Sequence, residues 1–163
     1  MRAPRDRVWD SVLARDLASS AVSRALLTLR GYGSRVFSEG RGTFPERIVR
    51  FGFTRLEEDP GREVVFGIVG KFWRYDGGLR RIPDRQAFLE FAEAGFVKGA
   101  WNVRVEEGVD GDCDVSTETR VECLGPDARR KFHIYWALIR PFSAAIRIGL
   151  LRGIKRRAES GAS

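Results

Sequence analysis

Histidine is almost missing from this chain, and with it the chemistry that histidine serves. There is one His, His133, with two Cys and a single Met, in 163 residues. A lone imidazole excludes a two-His metal site, a Ser-His-Asp set and a spaced Cys-His nucleophile pair. His133 falls on the polar side of a predicted helix, where a solvated residue is expected. Cys113 and Cys123 do not have zinc-ligand spacing. A straight strand between them spans about 33 Å, so they cannot bridge each other. They read as buried free thiols of a reducing compartment. Gly67-Ile-Val-Gly70 lacks the Lys-Ser/Thr end of a phosphate loop. Neither a metal nor a cofactor is expected.

Lysine is also scarce, confined to Lys71, Lys98, Lys131 and Lys155, so the net charge of +7 is carried by Arg. A basic balance fits nucleic acid or anionic lipid as partner. Here the charge is spread over both termini and the strands, dense only at Arg129–Lys131 and Arg152–Arg157, and no nucleic-acid partner is expected. Lys155–Arg157 reads as a solvated run, with headgroup contact as the lesser alternative. Met1–Asp10 is polar, with no apolar leader. Phe132–Leu151 is the one candidate membrane span, and it carries Arg140, Pro141 and Arg147. Charges at mid-membrane are costly, so a core helix is the better reading, without integral membrane association. A soluble, cytoplasmic protein is expected.

What is present describes one domain, residues 1–163. Ala128, Phe132, Tyr135, Ile139, Phe142, Ile146 and Leu150 recur at helical spacing and form one apolar face. Arg129, His133, Arg140, Ala144 and Arg147 read as the opposite face. Pro141 removes one backbone bond and predicts a kink. Upstream, Arg5–Leu13 and Ser19–Arg30 read as helices. Gly31–Gly33 and Gly40–Gly42 read as loops. Arg47–Arg55 alternates as a strand, with Val49, Phe51 and Phe53 on one side. Glu58–Gly61 is a turn, Glu63–Val69 an apolar strand continued by Gly70–Arg74, and Asp76–Gly78 a hairpin-type turn. Pro83–Ala94 reads as a short helix stopped by Gly95. Val97–Val105 and Cys113–Cys123 then alternate as an antiparallel pair, with Lys98, Arg104, Glu118 and Arg120 on its outer, solvated face. This order implies an α+β domain whose curved antiparallel sheet grips the C-terminal helix.

The segments VFGIVGKFWRYDGG (65–78), AWNVRVEE (100–107), STETRV (116–121) and YWALIRPFSAAIR (135–147), in this element order, resemble bacterial members of the START-like, polyketide-cyclase superfamily (SRPBCC). The resemblance covers most of the chain and points to a poorly characterised branch. It implies a helix-grip fold with an apolar cavity between sheet and helix, and it is not specific for a reaction. Family members normally carry a strand before the first helix, ending in an Ala-Pro like Ala3-Pro4. Here only Met1 and Arg2 precede it. Either the start lies too far downstream, or an edge of the sheet is exposed and favours a homodimer.

The candidate ligand-binding residues are Phe51, Phe53, Phe66, Trp73, Trp101, Thr117, Thr119, Trp136, Ile139 and Phe142. Trp73, Trp101 and Trp136 serve equally as core and as pocket lining. Thr117 and Thr119 point inward by parity, where a hydroxyl either bonds the backbone or meets a ligand. No carboxylate or His accompanies them, so no catalytic residue is assigned. The expected function is binding or carriage of a hydrophobic small molecule such as a lipid, isoprenoid or polyketide. The alternatives are a polyketide cyclase-like enzyme using the same cavity, and an interaction module with an Arg-rich surface.

Overall fold

A computed structural model of the chain describes residues 1–13, 46, 48–49, 52–108 and 111–160. Its elements, in chain order, are α1 (Arg5–Leu13), β1 (Thr54–Asp59), β2 (Glu63–Gly70), α2 (Arg85–Glu90), β3 (Val97–Glu107), β4 (Cys113–Ser116), β5 (Thr119–Cys123) and α3 (Pro126–Ser160). The domain is α+β, with a five-stranded open antiparallel sheet and a long C-terminal helix.

The strands run β1-β2-β3, with β4 and β5 both pairing with β3. Arg104 pairs with Ser116 at the end of β4, and Trp101 pairs with Thr119 at the start of β5. The two registers are continuous, so β4 and β5 form one lane interrupted at Thr117 and Glu118. The strand expected over Cys113–Cys123 is therefore present but broken. A hydrogen-bonded set fills the break. The Trp101 indole N–H donates to the Thr117 hydroxyl at 2.6 Å, and that hydroxyl donates to the Asn102 carbonyl at 2.7 Å. The Asn102 side chain accepts from the Glu118 N–H at 2.7 Å. Side-chain groups thus replace part of the ladder.

Parity divides β2 between two layers. Val64 and Phe66 face a core built with α1, the C-terminal part of α3, Val103 and Val105. Val69 faces a second cluster on the other side, with Ile82, Phe88 and Phe96. Gly67 shares that side, and a Cβ there would lie 2.8 Å from the Phe88 ring and 2.9 Å from Leu56. Only glycine lets α2 come this close. Leu56 has no register partner, because pairing shifts between Arg55 and Glu57. This bulge turns Leu56 toward α2.

Several expectations are corrected. The predicted strand Arg47–Arg55 begins only at Thr54; Glu46, Ile48 and Val49 are helical, and Gly52 turns the chain at φ 93°. Alternation over so short a stretch also fits one helical face, and the buried Ile48 falls on the side the strand reading left polar. β2 stops at Gly70, because Lys71–Leu79 forms a tight loop closed by Lys71 N–H to Gly77 and Arg80 N–H to Val69. The helix predicted over Pro83–Ala94 is limited to Arg85–Glu90, capped by Asp84, whose carboxylate accepts from the Ala87 N–H at 2.8 Å. Lys98 is not on a solvated ladder. It is 8% exposed, donates to the Leu89 carbonyl, and pairs with Glu122 at 3.3 Å, beside the Phe88 ring. α2 covers that face, a fact the alternation of β3 does not encode. The predicted helix Ser19–Arg30, the loops at Gly31–Gly33 and Gly40–Gly42, and Phe51 lie outside the described residues.

The turn expected at Glu58–Gly61 forms one residue later, closed by the Arg62 N–H on the Asp59 carbonyl at 2.9 Å, with Gly61 at φ 80°. Both cysteines are free, Cys113 buried and Cys123 half-buried. Burial is the main cause that raises both thiol pKa values above the ordinary range. Met1 exchanges both backbone hydrogen bonds with Cys113, at 2.6 and 2.8 Å. That is the pattern of a hydrogen-bonded antiparallel pair, so Met1 lies against the outer edge of β4.

Candidate functional site

Most of the candidate site residues lie on β2, β3, its partner lane and α3. α3 is one helix of 35 residues with Pro141 inside it. It meets the rest of the molecule at two separated places. At its start, Ala128 and Phe132 pack with Val97, Phe72, Trp73 and Cys123. Near its end, Leu150, Ile154 and Ala158 pack with Val8, Trp9, Val12, Phe66 and Val103. Between these two feet the contact thins. Ile139, Ser143 and Ile146, which share the angular position of the feet, are half-buried. On the sheet below, Thr119 is exposed and Val121 is 41% exposed.

Phe53, Phe66, Trp73, Trp101, Thr117 and Trp136 of the predicted site fall into two groups built on aromatic rings. On the sheet, Trp101 stacks on Phe66 with centroids 5.7 Å apart and meets Phe53 edge-on at 6.5 Å, with Thr117 bonded to its indole. At the first foot, Trp136 stacks on Phe132 at 5.9 Å, and Trp73 packs against the same cluster. Thr119, Ile139 and Phe142 belong to neither group; Phe142 is 43% exposed. Thr117 takes the structural course open to it, since its hydroxyl proton is used on the Asn102 carbonyl. Removing it has a defined effect. Thr117→Val should cost about 1–3 kcal/mol and shift tryptophan emission, because it strips the indole N–H of its acceptor. Thr117→Ser should retain both, as urea titration followed by fluorescence will show.

No comparison with protein families, curated proteins or solved structures finds a match. The chemistry of the site therefore rests on its own residues. Among the described residues no group of three or more His, Cys, Asp or Glu could hold a metal ion. His133 is exposed. The carboxylates near the lane face outward; the neighbouring Arg120 guanidinium holds Glu118 below its usual range, and Arg74 does the same to Asp76 in the 71–79 loop.

Two features escaped the sequence reading. One is a cleft of about 840 Å³ beside Phe53, lined also by Leu13, Val49, Arg55, Arg81 and Pro83. Among the described residues of the predicted site, only Phe53 reaches it. The other is the far side of α3. At 100° per residue Arg140 and Arg147 lie a quarter-turn from the sheet-facing stripe, not opposite it. The opposite sector holds Ile134, Leu138, Ala145 and Ile148, and three of these are large and exposed: Ile134 at 69%, Leu138 at 70%, Ile148 at 49%. α3 is long and apolar enough to cross a membrane by length and composition, and 6% of its most apolar window is buried.

Proposed function

We propose that this protein binds or carries a hydrophobic small molecule in the space between the sheet and α3, a helix-grip arrangement of the kind its sequence resembles. The supporting observation is the two-footed helix. Both ends of the helix pack into buried clusters, while Thr119 and Val121 on β5 stay exposed and Ile139 in the middle of the helix is half-buried. Trp101, Val121 and Ile139 offer apolar surface to a ligand, and Thr119 offers one hydroxyl to orient it. An indole and hydroxyls bind but do not relay protons at neutral pH, so carriage is favoured over a cyclase-like reaction. The protein then acts in the cytoplasm as a non-catalytic binder. The β5 edge, which no strand among the described residues pairs with, is where a second copy would add.

Native mass spectrometry of the purified protein, followed by solvent extraction, tests this reading. A co-purifying apolar adduct is expected, together with saturable uptake of the fluorescent probe 1-N-phenylnaphthylamine. Val121→Glu places a charge on exposed sheet surface at little cost to the fold, and should weaken probe uptake by about tenfold or more. A clean apo mass combined with no saturable uptake would end the proposal.

A further inference from the structure

We infer that the outward face of α3 is a docking surface for an anionic membrane, on which the helix lies flat.

The first observation is where the charge sits. α3 contains nine Lys and Arg against two acids, Asp127 and Glu159, a surplus of seven. That surplus equals the net charge of the whole chain, so the remainder is balanced. Within the helix the charge is grouped again. Arg129, Arg130 and Lys131 lie at one end, and Arg152, Lys155, Arg156 and Arg157 at the other. All seven are exposed.

The second observation is what lies between the groups. From Ile134 to Ile148, about 21 Å of helix at 1.5 Å per residue, the sector away from the sheet is apolar. Ile134, Leu138 and Ile148 present their side chains to solvent there. Arg130, Arg152 and Arg156 share that sector at its two ends, within roughly 40° of the stripe. An aliphatic band bracketed by cations is the composition of a helix at a bilayer interface, where the band enters the acyl boundary and the cations meet the headgroups. Arg140 and Arg147, on the flank, are placed to reach headgroup phosphates with their stems in the boundary.

The feet fix the orientation. Both ends of α3 pack on one sheet, and the two ends of a spanning helix would lie on opposite sides of the bilayer. The helix therefore lies along the surface. A polyanionic nucleic acid would use the basic ends but leave the aliphatic band unused, since single strands are held by aromatic stacking.

Co-sedimentation of the intact protein with phosphatidylcholine vesicles, with and without about one part in three of phosphatidylglycerol, tests the inference. Binding to the anionic vesicles should exceed binding to the neutral ones by about tenfold or more and fall as salt rises. The double substitution Ile134→Glu with Leu138→Glu should abolish most of it while leaving the circular dichroism and melting curve unchanged, because both sites are solvent-exposed. Bound protein should be released by alkaline carbonate. No vesicle binding overturns the inference, as does equal binding to neutral vesicles, or carbonate-resistant binding, which marks integral insertion. A dimer dissociated by the double substitution, or binding to duplex DNA, either without vesicle binding, overturns it in favour of that partner. None of these readouts depends on a ligand beneath α3.

Discussion

Phe66→Ala is expected to lower the free energy of unfolding by about 3–5 kcal/mol, much of what a domain of this size possesses. Phe66 is fully buried on β2, inside the sheet, with Trp101 stacked at 5.7 Å and 25° on one side. Val64, Val103, Val8 and Ile154 belong to the same cluster, and they sit on three different elements besides β2. A cavity there cannot close by moving one loop. Phe66→Leu should cost less, about 1.5 kcal/mol, since most of the volume remains. Guanidinium titration followed by tryptophan fluorescence measures both. Equal effects from the two substitutions would show that volume is not what Phe66 supplies.

Ile154→Asp is expected to be the most damaging substitution in α3, costing about 4 kcal/mol or more. Ile154 is fully buried among the residues of the second foot, so a carboxylate there loses water without gaining a partner. Phe132→Ala, at the first foot, should cost about 3 kcal/mol by emptying a site shared with Phe72, Tyr135 and Trp136. The feet share no residues, so Phe132→Ala combined with the milder Ile154→Ala should be additive. Hydrogen exchange gives the sharper readout. Ile154→Ala should speed exchange over Leu150–Ser160 while the first turns of α3 stay protected, and Phe132→Ala should do the reverse. Equal loss along the whole helix would mean that it docks as one unit.

Periodicity carried much of this architecture. The long helix, the apolar β2 and the β3 pair were legible because each repeats one pattern over many residues. Failures came where a pattern was short or a second layer intervened. Val49 and Phe53 alternated convincingly, yet a few residues with two-fold spacing also satisfy part of a helical turn. Lys98 sat at a polar parity position, and only the packing of Phe88 over it makes that position buried. Thr117 looked like any strand residue, because its bonds to Asn102 and Trp101 depend on register. The second stripe of α3 was in the sequence throughout. It was missed because dividing a helix into two faces leaves no place for a third sector. The candidate site was legible as a list of aromatic residues, but not as two groups, which only the spacing of the feet reveals.

The second foot also sets an order of events. β1 to β5 pair with neighbours close in sequence, so the sheet can assemble as it is synthesised. α1 cannot finish docking then. Its Arg7 reaches the carbonyl of Ala158, and its Val8 and Val12 share a core with Leu150 and Ile154. Those partners follow all five strands in the chain, so they are made after the sheet. Until they arrive, Val64, Phe66 and Val103 lack their cover, and a chain halted before Leu150 would carry that bare apolar surface permanently. Packing of the first helix against the last is thus the step that closes this core, and it waits on a part of the chain made after the whole sheet.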